Sequence, residues 1–409
     1  MAPSARLVSY LFTSALADAI FPVFYIFLPL FAAELGANPQ ELGLVGGAAY
    51  AVYSFVPFLM GHFSDRRGSR KFFIISSLAL LTVVSVLYSV SSSSLAIITV
   101  RVFEGIGWAM LWPAMEAAIV EDPARDSRSS LAIFNYTWAA GAAVGPGIGT
   151  FLVTTFSYRD AFVISSLLFV IAIVMNSAAS LGEQERRRAT MGVLAPGGRP
   201  SLASTVRRTF FSEDPARNFR VRTSFITMAL SNLTLAVLLT FFGPYATSIG
   251  ITIVLIGGVT STFGVVRLVI YVFLGNRRLR EGALNAEKRN RNLIAFAALA
   301  SLSSLLLLLR DMTGAVYFLA FALLGFGYSM VYVVSQTNMI ADAPTELRGA
   351  GAGLFESSIG LGGTVGPILA GATSSGSLAT AFMVPVVCLA VALALLYALA
   401  GSGRTKTPA

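Results

Sequence analysis

Apolar runs of about 20 residues recur along this chain from Leu7 to Ala400, and a run of about that length crosses the hydrocarbon core of a bilayer as a helix. No water is available inside a bilayer, so each peptide group there must be bonded within its own segment, which a helix alone achieves for a single run. The runs fall at about 7–35, 41–61, 71–91, 95–120, 129–155, 159–181, 221–249, 253–274, 293–310, 313–341, 349–373 and 378–400. They predict an all-α membrane protein with twelve transmembrane helices. Charged residues make up only 12% of the chain, about half the share of roughly 25% found in a soluble domain. The first run is too long for a cleavable signal peptide and is read as a retained helix.

The net charge of +9 could suggest nucleic acid, but the placement of the charges argues against that. All but four of the 29 basic residues lie in the loops after the even-numbered runs or at the two termini; the exceptions are Arg101, Arg159, Arg267 and Arg310. Basic residues gather on the cytoplasmic side, so both termini are expected there. The single cysteine, Cys388, excludes an internal disulfide, and the single histidine, His62, excludes a multi-His metal cluster. The three lysines, Lys71, Lys288 and Lys406, do not follow glycine, so there is no phosphate-binding loop for ATP. No cofactor is expected, and an enzyme is disfavoured.

The longest polar stretch, residues 182–220, holds Arg186, Arg187, Arg188, Arg207 and Arg208. It reads as a cytoplasmic linker between an N-terminal six-helix bundle (1–181) and a C-terminal one (221–400), with 401–409 as a flexible cytoplasmic tail. The halves repeat each other. Phe134 to Gly145-Pro146 matches the spacing of Phe355 to Gly366-Pro367; Gly105-Ile-Gly107-Trp108 echoes Gly325-Phe-Gly327-Tyr328; Leu35-Gly36 echoes Ile249-Gly250. Two bundles repeated about an axis along the membrane normal form a known transporter plan, with the substrate near the midplane.

These residues resemble the major facilitator superfamily over nearly the whole chain. The segment Gly61-His-Phe-Ser-Asp65-Arg66-Arg67-Gly68-Ser-Arg70-Lys71 is similar to that family's loop signature. The resemblance implies a gating lock at the cytoplasmic side, with Gly61, Asp65, Arg66, Gly68 and Arg70 as its members. The second-half copy has Asn276 in place of the aspartate and is weaker. Arg101-Val-Phe-Glu104-Gly105-Ile-Gly107 resembles the fourth-helix signature, with Glu104 where glutamine is common. Gly141, Gly145, Pro146 and Gly149 look like the fifth-helix signature that marks antiporting exporters, although Thr150 stands where another glycine is usual. Gly366 and Pro367 repeat it in helix 11.

Charges inside the spans point to the chemistry. Asp18 is the only charge between Leu7 and Ala33, close to mid-span. An ionised carboxylate there costs several kcal/mol, which suits a group that takes up and releases a proton and makes Asp18 the first candidate for that role; the alternative is a polar packing residue. Ser14, Phe21 and Tyr25 share its helix face, and Asn232 is the matching position in helix 7. Arg101 and Glu104 are one turn apart, either as a self-neutralising pair or as tuners of a neighbouring acid. Glu356 and Arg267 lie at equal depth, which permits an ion pair; Asn135 is the uncharged counterpart of Glu356. Trp108 and Trp112, one turn apart, could stack on a flat or cationic substrate or belong to a packing stripe. Glu116, Glu121, Asp122 and Asp126 read as solvated charges at the end of helix 4.

The expectation is therefore a monomeric secondary active transporter in a plasma (inner) membrane, exchanging protons for hydrophobic or cationic small molecules, in contact with membrane lipids and with no nucleic-acid partner. The rivals are a proton-coupled importer of a sugar, organic acid or nucleoside, and a membrane receptor or sensor that does not transport.

Overall fold

The computed structural model describes residues 5–60, 70–120, 127–179, 214–275, 289–309, 313–343 and 348–402. Every regular element among them is helical. Helix α1 runs Ala5–Pro22, widens into a π turn over Val23–Phe27 and continues as Leu28–Glu34. The rest of the first half is α2 (Pro39–Tyr53), α3 (Arg70–Val90), α4 (Ser94–Val120), α5 (Ser127–Thr155) and α6 (Tyr158–Ala178). The second half is α7 (Pro215–Ser248), α8 (Ile253–Gly275), α9 (Arg289–Ser303), α10 (Ala315–Gln336), α11 (Arg348–Thr373) and α12 (Val384–Ser402).

Among the described residues, ten helices are long and apolar enough to cross a bilayer. The other two, α5 and α11, have 29 and 26 residues but are diluted by Gly, Ser and Thr, because they carry the closest helix contacts. Helix α7 starts at Pro215, earlier than the expected 221, because Asp214 caps it by accepting from the Ala216 amide and Pro215 occupies the first turn. The predicted linker therefore gives up its last residues to α7, and residues 182–213 lie outside the described residues. So do 403–409 of the predicted tail, whose first two residues end α12.

The repeated Leu35-Gly36 and Ile249-Gly250 steps become the same turn. Gly36 and Gly250 have φ of 85° and 90°, in the left-handed region that glycine tolerates. Behind them the Ala37 amide donates to the Ala32 carbonyl at 3.0 Å, and the Ile251 amide to that of Ala246 at 2.9 Å, a closure that satisfies carbonyls at a helix end. The next helix, α2, starts with a reciprocal cap: Asn38 Oδ1 accepts from the Glu41 amide, and Glu41 accepts from the Asn38 amide.

Packing follows the same repeat. Helix α1 packs on α5 as α7 packs on α11, and α2 on α4 as α8 on α10. The halves meet along two seams, α2 with α11 and α5 with α8. Small residues let the backbones close. Gly371 faces the Pro39 carbonyl and Gly43, Gly360 faces Ser54, and Gly264 faces Ala142. Away from the seams, α3, α6 and α12 expose Val86, Val170, Val174, Val387 and Leu395, the apolar surface expected of helices that meet lipid.

Candidate functional site

A cavity between the halves, with about 930 Å³ free of protein atoms, is lined by both bundles. Asp18 from α1 and Arg267 from α8 face each other across it at 3.9 Å, Oδ2 to Nη2. Both are buried, and neither Asp18 Oδ2 nor Arg267 Nε has a hydrogen-bond partner among the described residues. The Arg267 guanidinium lies over the Trp138 ring at 3.8 Å and near Phe263 at 4.8 Å, so aromatic faces replace part of its lost hydration. In the sequence Asp18 stands as a lone acid; its arginine comes from the other half.

The equal depth of Glu356 and Arg267 does not produce a pair. Arg267 points to Asp18, while Glu356 Oε2 accepts from Tyr53 Oη of α2 at 2.6 Å. Glu116 corrects the sequence reading more sharply. Expected to be solvated, it is buried and lines the cavity; Oε1 accepts from Gln336 Nε2 at 3.3 Å, and Oε2 has no partner among the described residues. The α4 helix runs on to Val120, which carries the side chain at 116 inside the bundle. Glu121, Asp122 and Asp126 lie outside the described residues.

Arg101 and Glu104 form the tight pair their spacing suggested, but behind the cavity wall. Arg101 Nη1 donates to both Glu104 oxygens at 2.9 and 2.8 Å, and Nε donates to the Val45 carbonyl at 2.7 Å. Glu104 also accepts from Trp108 Nε1 at 2.9 Å and from Tyr88 Oη. Tyr25 covers the guanidinium at 4.2 Å and itself lines the cavity. The pair is compensated within itself and ties α4 to α2 and α3.

The aromatic candidates do line the cavity. Tyr25 sits in the π turn of α1 and stacks on Phe21 at 3.8 Å; such turns recur at functional sites. Trp108 and Trp112 stack at 5.8 Å. Asn232 donates to the Ile359 carbonyl at 2.7 Å and accepts from Tyr328 Oη at 3.3 Å, so it braces α7 against α10 and α11.

The Gly-Pro segments serve close packing. Gly145 meets the Ala19 carbonyl and Pro22 of α1, Gly141 meets the Ala15 carbonyl and Gly149 the Phe27 ring. Gly366 meets the Leu233 carbonyl of α7, while Pro367 lies against Gly43 and Gly46 of α2. Pro146 sits beside Thr150, whose hydroxyl donates to its carbonyl at 2.8 Å and in turn packs on Gly257 of α8. Of the predicted gating loop, Arg70 starts α3; Gly61, Asp65, Arg66 and Gly68 lie outside the described residues.

Comparison with known proteins places this architecture. The Major Facilitator Superfamily model matches residues 7–367. An uncharacterized MFS-type transporter of Methanocaldococcus jannaschii is 23% identical over 83% of this chain and 84% of its own. Partial matches include a putative multidrug resistance protein, MdtD, of Yersinia enterocolitica, at 30% identity over 34% of this chain and 29% of that protein. The quinolone resistance protein NorA of Staphylococcus aureus is 27% identical over 36% and 38%. Among solved structures, a bacterial homologue of the human lysosomal transporter Spinster, inward-facing and unoccupied, superimposes with a TM-score of 0.71 at 14% identity over 100% of both chains. The nucleoside transporter NupG gives 0.69 at 14% identity over 98% of this chain and 100% of its own. These structural likenesses speak to the fold.

Proposed function

This chain belongs to the major facilitator superfamily, and we propose that it is a proton-coupled exporter of hydrophobic or cationic small molecules. It carries small-molecule substrates across a membrane and is not an enzyme; the finer reading rests on the cavity. The observation that carries it is the Asp18–Arg267 pair, which joins the two halves at 3.9 Å with no hydrogen bond. A pair this loose is held mainly by charge. A proton on Asp18 removes that charge and leaves Arg267 on its aromatic neighbours, so protonation acts on the contact between halves. Alternating access needs such a lever, because the halves must rock about the midplane site.

The aromatic and aliphatic lining suits an apolar substrate body, and the partial likenesses to proteins named for multidrug and quinolone resistance favour export. The Asp65 loop would act as the gate, with Arg101 and Glu104 holding the wall behind the cavity. The proposal includes a monomer in a plasma (inner) membrane with both termini cytoplasmic. One charge crossing at 100 mV supplies about 2.3 kcal/mol, enough for roughly fifty-fold accumulation of a neutral solute per proton.

The test uses purified protein in liposomes with an internal pH dye, challenged with lipophilic cations, sugars and organic acids under a proton gradient. Export predicts that a lipophilic compound drives proton movement in the antiport sense and that Asp18→Asn abolishes it. Proton movement driven only by a polar solute, or a native response in Asp18→Asn, would sink the reading.

A further inference from the structure

The cavity holds three buried carboxylates, Asp18, Glu116 and Glu356, and one guanidinium. Arg267 serves Asp18. Neither Glu116 nor Glu356 has an Arg or Lys within 4 Å among the described residues, and both line the same cavity. A buried carboxylate without a cation is costly, yet the surroundings of both are arranged to meet a carboxylate rather than to replace one.

The arrangement is directional. The Trp138 indole can only donate, and it donates to Asn135 Oδ1 at 3.1 Å. That fixes the Asn135 amide, whose Nδ2 donates to Gln336 Oε1 at 2.9 Å. Gln336 is thereby turned so that its Nε2 donates to Glu116 Oε1. The chain of donors ends on a carboxylate that lines the cavity and whose second oxygen, Oε2, is buried and unpartnered among the described residues. On the other side Tyr53 donates to Glu356. Trp112 stands one turn before Glu116 on α4, and Tyr332 one turn before Gln336 on α10; both line the same space. Aromatic faces in one cavity with an unpartnered carboxylate oxygen match an organic cation.

We infer that Glu116 and Glu356 form a cation subsite, separate from the Asp18–Arg267 pair, that receives the ammonium group of a substrate while its apolar body lies on Trp112 and Tyr332. The inference rests on the transporter reading and gives it a substrate class: quaternary or protonated amines carrying an aromatic or aliphatic body.

Benzyltrimethylammonium and its neutral isostere neopentylbenzene differ only in charge, and all three tryptophans of the chain line the cavity, so intrinsic fluorescence reports binding. Native protein is expected to bind the cation at least about tenfold more tightly than the isostere, and Glu116→Gln and Glu356→Gln each to remove about tenfold of that preference. Both substitutions keep an acceptor for Gln336 or Tyr53, and unchanged binding of neopentylbenzene verifies a folded cavity. The neutral isostere binding as well as the cation, or both variants keeping the native preference, overturns the subsite. Proton movement driven by any lipophilic compound in liposomes is scored separately, so the subsite can fall while the exporter reading stands.

Discussion

At the scale of single residues, the structure separates two ion pairs that a sequence cannot tell apart. Arg101 and Glu104 use their hydrogen-bonding capacity on each other, on the Val45 and Gly46 carbonyls, on Trp108 and on Tyr88. Removing one member strands a buried charge, which costs about 3–5 kcal/mol. Glu104→Ala should therefore unfold far more readily in detergent, as measured by thermal or denaturant unfolding. Asp18→Asn is expected to divide its effects the other way, with more on transport than on stability. Arg267 keeps its stacking on Trp138 and Phe263 and loses a contact that is 3.9 Å long and not hydrogen-bonded, so stability should fall less than in Glu104→Ala while proton-coupled transport is lost. Equal destabilisation by both substitutions would contradict the division between a structural and a working pair. The Arg101–Glu104 contact was legible because both residues lie on one turn of one helix. The Asp18–Arg267 contact was not, since it depends on how α1 and α8 face each other. Glu116 escapes a sequence reading for a related reason: nearness to a charged loop in sequence says little about which way a helix face turns.

At the scale of helices, small residues set the distances. The Gly-Pro segments in α5 and α11 were visible as spacings, and both lie against the first helix of their own half. The glycines of α2 and α8 that close the seams carry no such signal, because a Gly-rich apolar run has many possible partners until the neighbours are known. Gly362 shows what is at stake: a Cβ there would run into the Ala229 carbonyl of α7, backbone that cannot move aside without moving the helix. Gly362→Val should prevent the second bundle from packing, seen as loss of a monodisperse folded species in detergent. Gly147 is the control on the matching helix. It is exposed, with nothing within 4 Å of the place a Cβ would occupy, and alanine is the better helix former by about 1 kcal/mol. Gly147→Ala should leave expression and transport at native levels; a loss comparable to Gly362→Val would mean that the glycines matter for something other than backbone clearance.

At the scale of the whole molecule, the two seams decide what the chain can do. The seam that α2 and the helical turn following it, residues 56–60, make with α11 is in contact from Pro39 against Gly371 at one end to Phe58 against Gly353 at the other, and cavity-lining residues such as Tyr50, Trp108 and Tyr328 are buried. For a substrate to enter, part of a seam must open, and the repeat between halves makes rocking about the cavity the motion that opens one end while closing the other. Ser54, which caps the C-terminal end of α2, and Thr364 of α11 offer a way to stop it. Their hydroxyl oxygens lie 3.2 Å apart across the seam, and Ser54 is beside Gly360 as well, so a cysteine pair there is within reach of a disulfide. With the native thiol removed by Cys388→Ser, the Ser54→Cys/Thr364→Cys variant should form an intramolecular bridge under mild oxidation. Transport in liposomes should then stop and return on reduction, while either single cysteine stays active throughout. Uninterrupted transport by the bridged protein would mean that this seam does not part during the cycle, and the rocking motion would have to be assigned to α5 and α8 alone.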